Sequence, residues 1–162
     1  MNRAELKDFY SQRLNTYTEK YETYRKKERN SNIMRGLSFL AGTALAIVMA
    51  NYSMAIMTAV IIATIIVFLY FVKKNADYQY NKNINLNLRN INQSELKGLD
   101  NDNSDFDGGN EFVDTQHSYT YDLDIFGNNS IFQKINRTIT QGGKKLLANG
   151  FINQSKDISK II

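Results

Sequence analysis

Residues 36–72 read GLSFLAGTALAIVMANYSMAIMTAVIIATIIVFLYFV, without one charged side chain. A buried strand or core helix is far shorter. A helix that crosses a bilayer needs about 20 apolar residues, so this stretch holds nearly two. Its only polar cluster, Asn51-Tyr52-Ser53, divides it into spans at 34–50 and 54–72. The second span carries eleven Ile, Val, Leu and Phe residues. Such residues favour insertion by roughly 3 to 7 kcal/mol in total before polar contributions. The first span is weaker and is expected to insert together with the second. The rest of the chain is too polar to wrap two helices that are apolar all round, which argues against a buried hairpin in a soluble protein. The charged residues ahead of the stretch argue against a signal peptide.

The flanks set the orientation. Arg25, Lys26, Lys27 and Arg29 precede the first span, Arg35 stands at its first turn ahead of the uncharged stretch, and Lys73 and Lys74 follow the second. Basic flanks stay on the cytoplasmic side, so a two-span hairpin in the cell (inner) membrane has both termini in the cytoplasm. No Asp, Glu, Lys, Arg or His lies between residues 36 and 72, which argues against an ion path, a proton relay or a carrier. Small residues recur every four positions at Ser38, Gly42, Ala46 and Ala50, and again at Ala55, Ala59 and Ala63. Stripes of this kind let helix backbones approach closely. They are expected to face each other, with dimerisation through one of them as the alternative.

The chain of 162 residues has no cysteine, no proline and one histidine, with a net charge of +4. Disulfides, thiol catalysis and multi-histidine metal sites are therefore excluded. The charge is blocked: residues 100–125 hold eight acidic side chains and no Lys or Arg, whereas 1–35 and 126–162 are basic. The expected organisation is a cytoplasmic amphipathic helix at 1–33, a transmembrane hairpin at 34–74, a helical connector at 75–99, an acidic loop at 100–120 and a small helical region at 121–162. The fold class is mainly α, with a short extended segment.

In the first helix, Leu6, Tyr10, Leu14, Tyr17, Tyr21 and Tyr24 share one face at near-heptad spacing. That face can pack within the chain, self-associate or take a partner helix. In the acidic loop, Asp100, Asp102, Ser104 and Glu111 fall at calcium-loop spacing, but Asp105 stands where the sharp-turn glycine belongs, so a solvated acidic loop is expected. The alternation from Glu111 to Gly127 reads as a strand or extended arm. No nucleophile motif accompanies His117, which is expected to be structural. Ser130 and Thr140 are expected to cap helices at 131–136 and 141–149, and a further helix is expected from Asp157.

Tyr121-Asp122-Leu123-Asp124-Ile125-Phe126-Gly127, Ser130-Ile131-Phe132-Gln133 and Ile135-Asn136-Arg137-Thr138-Ile139-Thr140, followed by Gly143 and Leu146-Leu147-Ala148, resemble the MutS-related proteins, relatives of the DNA mismatch repair ATPase. A membrane-bound branch of that family has a charged N-terminal helix, two spans, and Phe-Asp-Gly and His-x-Tyr segments before this core. Phe106-Asp107-Gly108 and His117-Ser118-Tyr119 fit that pattern. The resemblance implies the anchor and core opening of a DNA-binding ATPase, with Asp122, Asp124, Phe126, Gly127, Asn136, Arg137, Thr138, Thr140 and Gly143 as the motif residues.

The family's ATP and magnesium chemistry needs a phosphate-cradling Gly-rich loop with Lys and Ser/Thr. Gly142-Gly143-Lys144-Lys145 lacks its first glycine and its Ser/Thr. The mismatch-reading Phe-x-Glu element and the Arg-Gln pair after the core opening are also missing. The chain is therefore expected to carry no catalytic, cofactor-binding or metal site of its own, as an N-terminal portion or a truncated relative. Phosphate charge on DNA would be met by Lys134, Arg137, Lys144 and Lys145. The alternative function is a small membrane scaffold acting through the Leu6–Tyr24 face.

Overall fold

The computed structural model describes residues 2–153; the helix expected from Asp157 lies outside them. The chain is mainly helical: α1 Arg3–Ala50, α2 Met54–Leu99, a short 3-10 turn Asn110–Phe112, α3 Ile131–Ile135 and α4 Gln141–Ile152. The helices α1 and α2, of 48 and 46 residues, are both long and apolar enough to cross a membrane. The expected boundaries at 33/34 and 74/75 do not appear as breaks. With no proline to remove a backbone bond, one helix runs from the charged half into the uncharged half. The chain divides into two compact units, Asp8–Asn92 and residues 93–153 with 2–7.

In the first unit, α1 and α2 pack side by side in antiparallel register. Glu28 meets Lys82 at 2.7 Å, the Arg35 guanidinium lies over the Phe68 ring, and the Phe39 and Phe68 rings are 6.1 Å apart. Most half-buried and buried positions of α1, among them Leu6, Tyr10, Leu14, Tyr17, Tyr21, Tyr24, Glu28, Ser31, Arg35, Ser38, Gly42, Ala46 and Met49, follow alternating spacings of three and four, with Ser11, Thr18 and Glu22 beside them. That is a heptad seam, and it passes from tyrosines through small residues without losing phase. A Cβ on Gly42 would stand 2.2 Å from the Thr64 hydroxyl oxygen, so glycine there sets the closeness of the two helices.

On α2 the seam is not the one expected. Met57, Val60, Thr64, Phe68, Phe71, Asn75 and Tyr78 lie in it, whereas Ala55, Ala59 and Ala63 are exposed. Packing farther along α2 fixes this phase. Asn85 and Asn92, one heptad apart, are buried, and each amide donates to the carbonyl four residues back, Asn81 at 2.7 Å and Leu88 at 2.6 Å. Ile84 and Ile91, apolar as they are, are exposed.

The second unit is built by turn chemistry. The end of α2 is fixed by paired bonds, Asp102 N–H to the Lys97 carbonyl (3.0 Å) and Asn101 N–H to the Gly98 carbonyl (3.1 Å), with Asn101 left-handed at φ 65°. This is a Schellman ending, with asparagine in the place glycine usually takes. The same pattern recurs at 120–125. Ile125 N–H reaches the Thr120 carbonyl, Asp124 N–H reaches the Tyr121 carbonyl, and Asp124 has φ 48°. These local bonds use the donors a strand would need. The extended segment expected at 111–127 is therefore a run of turns, and the described residues contain no strand.

Ser130 and Thr140 cap α3 and α4, accepting from Gln133 N–H and Gly143 N–H at 3.1 Å each. Helix α4 does not stop near Gly150 as expected. It continues to Ile152 because Phe151 and Ile152 pack on the core and the Tyr119 hydroxyl meets their carbonyls.

Candidate functional site

Of the segments quoted above, Ile125, Phe126, Phe132, Leu147 and Ala148 share one small core in the second unit, whereas Tyr121, Leu123, Ile139 and Leu146 are exposed. Phe126 and Phe132 have ring centroids 5.2 Å apart, and Phe112 and Phe151 close over them. Phe132 is fully buried. Edge-on and tilted ring pairs of this kind add roughly 1 kcal/mol each beyond area burial. Ile125, Ala148 and Leu147 complete the cluster.

The glycines of the two motif segments meet through the backbone. Gly127 N–H donates to the Gly108 carbonyl at 2.8 Å, and a Cβ on Gly108 would stand 2.2 Å from the Gly127 carbonyl oxygen. Gly127 itself has φ 108°, a region costly for any other residue.

Buried polar groups tie the core to the acidic loop. Gln133 donates to the Phe106 carbonyl at 2.8 Å and accepts from Asn129 N–H at 2.6 Å. Asn136 donates to the Asp107 carbonyl at 3.0 Å and accepts from both Thr138 N–H and the Thr138 hydroxyl. Asp122 is exposed in the turn that Asp124 closes.

The four basic residues expected to meet DNA phosphate do not share a fate. Lys134 and Lys145 are exposed. Arg137 is engaged in full: its guanidinium forks onto Glu95 (2.6 and 3.1 Å), donates to the carbonyls of Lys134 and Asn136, and stacks 3.5 Å from the Phe106 ring centroid. Lys144 is buried between the carboxylates of Asp107 and Glu111. Its hydrogen bonds hold both carboxyls below the usual carboxylate range, and theirs raise Lys144 above the ordinary lysine value. Sequence reasoning missed Glu95 and the loop carboxylates as partners, because they lie 42, 37 and 33 residues from the cations they hold and no short pattern links them.

The carboxylates at calcium-loop spacing are likewise distributed. Asp100 meets Lys7 at 2.9 Å, Asp105 meets Lys97 at 2.9 Å and Ser94, and Glu111 meets Lys144. Asp102 accepts from Ser104 N–H. Among the described residues no group of three His, Cys, Asp or Glu is placed to hold a metal. His117 packs edge-on against Tyr119, ring centroids 4.8 Å apart, and its Nδ1 accepts from Thr120 N–H.

In the first unit the uncharged surface is open. Leu40, Ile47, Ile62, Ile66 and Leu69 are all more than half exposed. The Tyr10–Tyr24 face is half-buried along its length, with Arg89 over the Tyr21 ring. No protein-family model, curated protein or solved structure matches the chain.

Proposed function

We propose that the chain is the membrane-anchored N-terminal part of a MutS-like DNA-binding ATPase, with no ATP site of its own. In this reading a two-span hairpin, 34–50 and 54–72, holds it in the inner membrane with both termini cytoplasmic. In the same reading the second unit opens the DNA-repair-related core. One observation supports the reading: Ile125, Phe126, Phe132, Leu147 and Ala148, all within the segments that resemble the family, share one core, and Asn136 bonds to the Asp107 carbonyl.

The anchor is supported by an apolar surface too large to leave in water. Contiguous exposed apolar patches on soluble monomers rarely exceed a few hundred Å². Charge compensation at Arg137 and Lys144 leaves Lys134 and Lys145 for DNA phosphate, so the chain by itself binds DNA weakly. The scaffold alternative has less support, because the helix face it would use is half-buried within the chain itself.

The test is to read the DNA downstream of the Ile162 codon, in all three frames. Long helical sequence followed by Gly-x4-Gly-Lys-Ser/Thr is the expected result. Its absence, together with a native membrane protein of 18.6 kDa on an immunoblot, would overturn the reading.

A further inference from the structure

Above the uncharged stretch, α1 and α2 enclose a polar groove of about 680 Å³, lined by one face of α1 from Tyr21 to Ile33 and by Lys82 of α2. Its two acids are already paired: Glu28 with Lys82 at 2.7 Å, and Glu22 with Arg25 at 3.2 Å. Lys26 and Arg29 also line the groove, are exposed, and have no carboxylate within ion-pair distance among the described residues. They lie three residues apart, on one face of the helix. The groove is therefore cationic overall, and its two free cations point the same way.

Height along α1 decides what such a groove can hold. Arg29 stands five residues before Met34, where the first expected span begins, which is about 7 Å along a helix. The headgroup layer is about 5–8 Å thick on each side of the hydrocarbon core. Arg29 thus lies at phosphate level, with Lys26 one turn above it. Ile33, at the lower end of the groove, leads onto the apolar helix surface below.

We infer that this groove binds the headgroup of an anionic phospholipid. Arg29 forks onto the phosphodiester, Lys26 adds a point charge, and an acyl chain descends past Ile33 along α1. A free phosphate would gain the cations but nothing from the apolar surface beneath, which is why a lipid is the occupant. The inference rests on the membrane reading of α1 and α2, and it adds a lipid preference that an anchor does not require.

The test uses the full chain, purified in mild detergent from membranes containing phosphatidylcholine and phosphatidylglycerol. Native mass spectrometry counts the phospholipids retained. The paired substitutions Lys26→Gln and Arg29→Gln should lower the phosphatidylglycerol preference about tenfold. A control pair, Lys20→Gln and Lys27→Gln, removes the same charge from the same helix outside the groove and should change it by less than about twofold. Equal losses in both variants would mean diffuse attraction and would overturn the groove, as would no loss in either. Displacement of the lipid by excess inorganic phosphate would overturn the lipid as occupant. Alkaline extraction separates the two ideas: wild type that resists extraction yet shows no lipid preference keeps the anchor and loses the groove, whereas wild type that is extracted loses both.

Discussion

The two units of this chain hold together by opposite means. In Asp8–Asn92 one repeating spacing organises two long helices, and most of the apolar surface faces outward. In residues 93–153 almost no spacing repeats; capped turns, left-handed asparagines and a cluster of four phenylalanines close a small core. A seam tolerates local change because its contacts are spread along the helix axis. A core this small does not, because each ring touches most of the others.

The sharpest way to break the contrast is Phe132→Ala. Removing a fully buried ring costs about 3–5 kcal/mol, more than a core of this size can spare. Near-ultraviolet dichroism should show the second unit lose fixed packing while far-ultraviolet helix signal from α1 and α2 persists. Loss of both together would show that the units are not independent.

Gly42→Leu attacks the seam at its tightest point, where Thr64 leaves no room. Overpacking of this kind costs about 1–3 kcal/mol. Disulfide trapping between cysteines placed at Ser38 and Phe68 should fall without loss of helix content.

Lys144→Met keeps the stem and removes the ammonium. It should destabilise the second unit by about 1–2 kcal/mol in a denaturant titration, since the partner carboxylates are half exposed. The same cluster sets a pH window. The Asp107 and Glu111 values are lowered in the fold, so their stabilisation is present above about pH 4 and is lost as the pH falls further. The Lys144 value is raised, so its share is present below about pH 10 and is lost as the pH rises beyond. Melting followed across that range should flatten at both ends in Lys144→Met.

Ser31→Ala should do least. The Ser31 hydroxyl is buried in the seam and has no hydrogen-bond partner among the described residues. Its removal should leave stability within about 0.5 kcal/mol or raise it slightly, and a large loss would reveal a partner for that hydroxyl.

Legibility in the sequence divides along the same line. The two long apolar helices, the turn at Asn51–Ser53 and the caps at Ser130 and Thr140 could all be read, because each is a local rule of spacing or side-chain reach. The phase of α2 could not. Alanines every four residues and a heptad through Asn85 and Asn92 were both present, and only packing chooses between them. The turns at 119–125 were hidden by an alternation that mimics a strand, although Asp124 is of the residue type that tolerates a left-handed backbone. At the candidate site, the pairings of Arg137 with Glu95 and of Lys144 with Asp107 and Glu111 were not legible, because they depend on tertiary contact.

The central claim is that α1 and α2 cross the membrane twice with both ends inside. The chain has no cysteine, so single cysteines can be placed at Tyr52, Lys20 and Lys145 and treated with a membrane-impermeant maleimide. In intact cells the account predicts labelling at position 52 alone, with positions 20 and 145 labelled only after permeabilisation. Labelling of 20 or 145 in intact cells, or of 52 only after permeabilisation, would contradict it.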